Sequence, residues 1–101
     1  MPTLPLHGKT AFVTGGARRI GRELALALAR AGADVAITYR KSRIEAVGTV
    51  AELTSLGINA HAIECDVRSE SSVRGAICSV VESFGRLDIL VNNAAIFDAA
   101  S

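Results

Sequence analysis

The sequence predicts an α/β fold built on a doubly wound parallel sheet, and three observations predict it. Short apolar runs alternate with amphipathic helical stripes along the chain. The runs are apolar enough to be strands covered on both faces. A Gly-rich turn joins the first run to the first helix. The order reads β-α-β-α-β-α-β over residues 1–101, one domain or part of one, with right-handed crossovers between parallel strands.

Lys9 to Thr14 reads as a short buried strand after a loose lead-in containing Pro2, Pro5 and Gly8. The turn Thr14-Gly15-Gly16-Ala17-Arg18-Arg19-Ile20-Gly21 follows, and the helical pattern proper runs from Arg22 to Ala31. Ile20, Leu24 and Leu28 are its expected apolar stripe, beside the small residues Gly21, Ala25 and Ala31; Arg22, Glu23 and Arg30 take the other side. Gly32 ends it. Asp34 to Tyr39 is the second strand. Arg43 to Leu56 is the second helix, with Ile44, Val47 and Ala51 expected inward and Glu45, Thr49, Glu52 and Ser55 outward. Gly57 stops it, and Ile58 to Glu64 is the third strand. Ser69 is placed to cap a third helix with the stripe Val73, Ile77, Val80, Val81 and Phe84. Gly85 closes that helix, and Leu87 to Asn92 is the fourth strand before a terminal loop.

Composition narrows the function classes. Half the residues are apolar and 21% are charged, which is globular rather than disordered composition. The net charge of +1 argues against the basic footprint of a nucleic-acid binder. Met1 to Leu6 lacks the basic and apolar regions of a signal peptide, and no apolar run approaches the roughly 20 residues that span a bilayer. A cytoplasmic protein with no membrane partner is expected. Cys65 and Cys78 lack a CxxC or histidine partner at metal-ligand spacing, so no metal site is expected and both thiols read as small, buried or half-buried side chains. Gly8-Lys9-Thr10 is like the end of a P-loop, but Thr3 stands where the first Gly belongs and no strand precedes it.

The chemistry lies at the ends of the strands. Strand, Gly-rich turn and helix bring free backbone N–H groups and a helix N-terminus to an anion, usually a phosphate. In a dinucleotide-binding sheet, an acid about 20 residues further on bonds the ribose 2′-OH of NAD, whereas a cation there accommodates the 2′-phosphate of NADP. The second strand ends in Tyr39-Arg40-Lys41-Ser42, with two cations and no acid, and Arg18, inside the first turn, could swing toward the same phosphate. A charge-assisted hydrogen bond contributes about 1.5–3 kcal/mol, so one such contact favours NADP by about tenfold or more. The third strand ends in Cys65-Asp66-Val67. Asp66 fits two roles there, an acceptor for an adenine edge or a residue leading into the helix capped by Ser69. The fourth strand ends in Asn92-Asn93-Ala94-Ala95, where adjacent Asn side chains either bridge neighbouring strand ends or contact a ligand at the switch point of the sheet.

Together these residues resemble the short-chain dehydrogenase/reductase family over nearly the whole chain. The family's TGxxxGxG turn is matched by Thr14 to Gly21, its Asp-Val/Leu pair by Asp66-Val67, and its NNAG segment by Asn92-Asn93-Ala94-Ala95. Arg19 replaces the second Gly of the turn and Ala95 the last Gly of NNAG. With Tyr39-Arg40-Lys41-Ser42, these departures look like the NADPH-preferring, pteridine reductase-like branch. The resemblance implies a Rossmann-type fold holding NADP(H) through Gly15, Arg18, Arg19, Ile20, Gly21, Tyr39, Arg40, Lys41, Ser42, Asp66, Val67, Asn93, Ala94 and Ala95. It also implies hydride transfer to a small-molecule carbonyl or a pterin C=N bond, and a homo-oligomer at full length.

The family's Ser, its Tyr-x-x-x-Lys pair and its water-chain Asn all follow NNAG. The single Tyr here is Tyr39, with Arg43 in the Lys position of that spacing, so no catalytic residue is assigned. His7 and His61 read as structural. The sequence is thus expected to be the cofactor-binding segment of a longer reductase, without turnover of its own and with an open apolar edge at Leu87 to Val91. The alternative is a non-catalytic nucleotide-binding or regulatory module. A methyltransferase half-sheet would need an acid where Arg40 and Lys41 stand.

Overall fold

The computed structural model describes residues 4–17 and 19–93. Among them the order is β1 (Thr10–Val13), α1 (Arg19–Arg30), β2 (Asp34–Tyr39), α2 (Arg43–Ser55), β3 (Ala60–Glu64), α3 (Glu70–Phe84) and β4 (Ile89–Val91). The strands pair in parallel in the order β3-β2-β1-β4. Val13 is in register with Ile37 on β2 and Val91 on β4, so β1 and β4 end at one level and β2 continues two residues further, to Tyr39. The chain leaves β1 towards β2 on one side and meets β4 on the other, which creates the switch point where ligands of such sheets bind.

Alternation along β1 builds two cores. Ala11 and Val13 face α1 and α2, with Val35, Ile37, Ala25, Leu26, Ala29, Ala46 and Leu53. Phe12 faces α3, with Ala36, Cys65, Ala76 and Val80. Covering on both faces holds for β1 and nearly all of β2, but not for the flanking strands. β3 and β4 are partly exposed, Leu90 by 56%. The observed β2 spans the expected residues, whereas β1, β3 and β4 are shorter and α1 begins three residues before the expected start at Arg22.

Two helix faces differ from expectation. On α1, Gly21, Ala25, Leu26 and Ala29 are buried, while Ile20 is 65% and Leu24 38% exposed. Small side chains face inward because the helix start lies against the backbone of the Gly-rich turn, and this rotates the large aliphatics outward. On α2, Ala46, Thr49 and Leu53 are buried and Ile44, Val47 and Ala51 are exposed. Thr49 can sit inside because its hydroxyl donates to the Ala17 carbonyl at 2.6 Å, leaving no unpaired polar atom there. Glu52 is outward as expected and pairs with Arg22, joining α2 to α1. The two thiols also divide: Cys65 is buried, but Cys78 is exposed on α3 rather than buried or half-buried.

The α3 stripe follows the sequence pattern with Val80 and Ala76 at its centre, although Val81 is 44% exposed. Ser69 caps the helix by accepting the Ser72 N–H at 3.2 Å, and the Gly85 N–H closes it on the Val81 carbonyl at 2.8 Å. His61 on β3 meets Phe84 edge to face with ring centroids 5.1 Å apart, a structural contact. No helix among the described residues is long and apolar enough to cross a membrane.

Asp88 ties the start of β4 to the start of β1. Its Oδ2 accepts the Thr10 N–H at 2.9 Å and the Arg86 Nε–H at 2.7 Å. The Arg86 guanidinium and then the Thr10 N–H hold its carboxyl down at about 2, from an ordinary 3.8. A carboxyl depressed on folding contributes stability above its unfolded pKa, and that contribution disappears as pH falls through the folded value. Asp88→Asn should therefore lower Tm at neutral pH and flatten its decline between pH 3.8 and about 2. Thermal denaturation of both proteins across that window checks it.

Candidate functional site

The carboxyl ends of the four strands enclose a cleft of about 640 Å³, a volume typical of small-molecule sites at ~300–1,000 Å³. Gly15, Arg19 and Ile20 enter it from the turn after β1. Tyr39, Arg40, Lys41 and Ser42 enter from the end of β2, Asp66 and Val67 from the end of β3, and Asn93 from beyond β4. Gly21 lies beneath, against Gly15 and Asn93. Arg18, Ala94 and Ala95, also expected here, lie outside the described residues. A second hollow of about 480 Å³, lined by Arg19, Ile20, Arg22, Glu23 and Leu24 on the first turns of α1, lies off the strand ends.

Close approach shapes the turn. A Cβ on Gly21 would lie 2.1 Å from the Gly15 carbonyl oxygen and 2.8 Å from Asn93 Nδ2, so only glycine fits. Gly15 has φ +68, a left-handed conformation that glycine adopts without penalty. Arg19 has φ +57, and for a residue with a Cβ this costs roughly 1–2 kcal/mol. The Gly it replaces in the family turn would remove that cost. The turn thus accepts backbone strain to place a cation at the mouth of the cleft.

Not every N–H of the turn is available to a ligand. The Gly15 N–H donates to Thr38 Oγ1 at 2.9 Å, so Gly15 contributes space and curvature rather than a donor. The first turn of α1 offers an anion N–H donors that lack partners within the helix. On the opposite side, the Thr14 hydroxyl lies 3.3 Å from both the Val91 carbonyl and Asn92 Oδ1. The two asparagines therefore divide the roles open to them: Asn92 bridges strand ends, and Asn93 faces the cleft.

Asp66 combines its two possible positions. Its Oδ1 accepts the Arg68 backbone N–H at 3.0 Å, a turn that leads into the capped helix, and its side chain lines the cleft. The Arg68 guanidinium, at 3.2 Å from Oδ1, and then the Arg68 N–H hold the carboxyl below its ordinary range, with Arg40 Nη2 3.8 Å from Oδ2 adding to the effect. Asp66 is ionised at neutral pH, a pure acceptor. Among the described residues, Arg19, Arg40, Lys41 and Arg68 line the cleft with Asp66 as their one carboxylate. A chain of net charge +1 has gathered positive charge at one end of its sheet.

Ala17, Thr38, Cys65 and Arg68 also line the cleft and were not expected there. Two carried a signal. Thr38 is a hydroxyl one position before the strand end, and Arg68 follows Asp66 at the spacing of an Asx turn. Ala17 and Cys65 carry none.

A parallel sheet with a Gly-rich turn and a cationic cleft at its switch point defines a dinucleotide-binding type of α/β protein. The profile of the short chain dehydrogenases matches residues 9–101, and the chain belongs to that family of oxidoreductases. It is 47% identical over 91 residues to a hydroxynaphthalene reductase of Aspergillus fumigatus, covering 90% of this chain and 33% of the relative. It is 44% identical over 88 residues to a 3-oxoacyl-[acyl-carrier-protein] reductase of Staphylococcus aureus, covering 87% and 36%. A crystal structure of a short chain dehydrogenase from Burkholderia cenocepacia in complex with NADP superposes with a TM-score of 0.84 at 53% identity, over 86% of this chain and 36% of that one. The chain spans about a third of the length of these proteins.

Proposed function

We propose that the cleft is the NADP(H) site of a short-chain reductase whose full chain transfers hydride from NADPH to a carbonyl or a pterin C=N bond. The observation that carries this reading is the end of β2, where Arg40 and Lys41 enter the cleft at the place an acid would occupy for NAD. Arg40 and Lys41 would take the 2′-phosphate, Asp66 and the Val67 backbone the adenine edge, and the first turn of α1 with Arg19 the pyrophosphate. Asn93 would face the nicotinamide side. Arg18, Ala94 and Ala95 belong to the same proposed set on the family motif alone. The bound NADP of the Burkholderia structure and the reductase names of the two relatives support the assignment.

When bound, NADPH supplies a hydride to the electrophilic carbon; a proton adds at oxygen or nitrogen, and NADP+ remains. What this segment's residues do is bind, orient and select the donor. Arg19 in place of glycine supports the pteridine reductase-like branch, because it sets a cation beside both the phosphate turn and the open mouth of the cleft. We place the protein in the cytoplasm and expect the full chain to be a homo-oligomer. Incubating the full chain with NADPH and a panel of ketones, aldehydes and dihydropterins should oxidise NADPH in step with reduced product. NADPH binding with no oxidation by any of them would instead identify a non-catalytic nucleotide-binding module.

A further inference from the structure

Thr49 lies on α2, outside the cleft, and is 2% exposed. A threonine inside a helix ordinarily returns its hydroxyl to the carbonyl one turn back. Here the hydroxyl instead donates at 2.6 Å to the carbonyl of Ala17, in the Gly-rich turn after β1. From the other side, Thr38 on β2 accepts the Gly15 N–H at 2.9 Å, and its side chain is likewise buried. The turn is therefore held at two points by hydroxyls from two elements, one as acceptor and one as donor.

We propose that Thr49 is a positioning residue of the dinucleotide site, holding the turn in the form that presents its phosphate-binding face. The inference rests on the NADP(H) reading above. The Thr49 hydroxyl fixes the direction of the Ala17 carbonyl, which points out of the turn towards α2. Two residues on, Arg19 stands at φ +57, a conformation that persists only where its surroundings impose it. The Thr49 hydrogen bond is one such constraint, formed without occupying any of the cleft. It also connects two parts of the site, because α2 begins immediately after Arg40, Lys41 and Ser42.

Thr49→Val keeps the shape of the side chain and removes its donor, leaving the buried Ala17 carbonyl without its partner. The test compares wild type, Thr49→Val and Thr49→Ser as full chains, titrated with NADPH and with 2′-AMP, which lacks the pyrophosphate. Thr49→Val should weaken NADPH about tenfold, leave 2′-AMP within about twofold, and be rescued by Thr49→Ser. Amide hydrogen exchange of residues 15–21, measured without nucleotide, should be faster in Thr49→Val than in wild type. Thr49→Ala, which favours the helix, serves the same comparison if the valine variant does not accumulate. Unchanged NADPH affinity, an equal loss for both nucleotides or unchanged exchange in the turn would each overturn the proposal. If wild type binds neither nucleotide, the NADP(H) reading fails, and hydrogen exchange alone then decides the role of Thr49.

Discussion

Gly21→Ala is expected to weaken NADPH binding by the full chain about 10- to 100-fold and to lower Tm. The added methyl would meet the Gly15 carbonyl oxygen at 2.1 Å, and that oxygen belongs to backbone that no rotamer change can move away. Overpacking of this kind costs roughly 1–3 kcal/mol, and relief requires the turn and the start of α1 to separate at the place where the phosphate donors are held. Asn93 would be displaced as well, since its Nδ2 lies 2.8 Å from the same methyl position. Gly48→Ala in α2 is the matched control. A Cβ there meets nothing within 4 Å, so the helix should gain about 0.5–1 kcal/mol with no change in NADPH affinity. Equal behaviour of the two variants in calorimetry and nucleotide titration would contradict this account of the turn.

Arg40→Asp should collapse the preference for NADPH over NADH about 10- to 100-fold, through loss of a charge-assisted contact of about 1.5–3 kcal/mol and gain of a repulsive carboxylate. NADH should gain affinity, because an acid in this position can accept from the ribose hydroxyls. Arg40 Nη2 lies 3.8 Å from Asp66 Oδ2, while Arg68 holds the same carboxylate more closely. Asp66 therefore keeps a partner when Arg40 turns to a phosphate or is replaced. Arg40→Gln separates the two contributions, since it removes the positive charge without adding a negative one. Fluorescence titrations of both nucleotides with all three proteins measure the effect.

The sheet was legible because short apolar runs between helical patterns mark strands; burial on both faces holds for β1 and nearly all of β2, and β2 spans the residues its run predicts. The faces of α1 and α2 were not. Hydrophobic periodicity follows the largest side chains, and it selected Ile20, Leu24, Ile44 and Val47, all of which are exposed. The packed faces are instead decided by contacts far apart in sequence. Gly21 must meet Gly15, and Thr49 must reach Ala17. The same distinction holds at the site. The β2 and β3 ends could be found by position, since ligands gather where parallel strands end. Thr38 could be found by position as well, but not its part, which depends on the Gly15 N–H that it meets from the turn after β1. The two roles open to Asp66 both exist in the structure, since the carboxylate that leads into α3 also lines the cleft. Arg19 was visible as a departure from glycine, but its strain required a backbone angle.

Parallel titration of the full chain with NADPH and NADH at one ionic strength tests the central claim most directly, because the two differ only in the phosphate assigned to Arg40 and Lys41. The account predicts that NADPH binds tighter by about tenfold or more, with the difference shrinking as salt rises. Equal affinity for the two cofactors would contradict it.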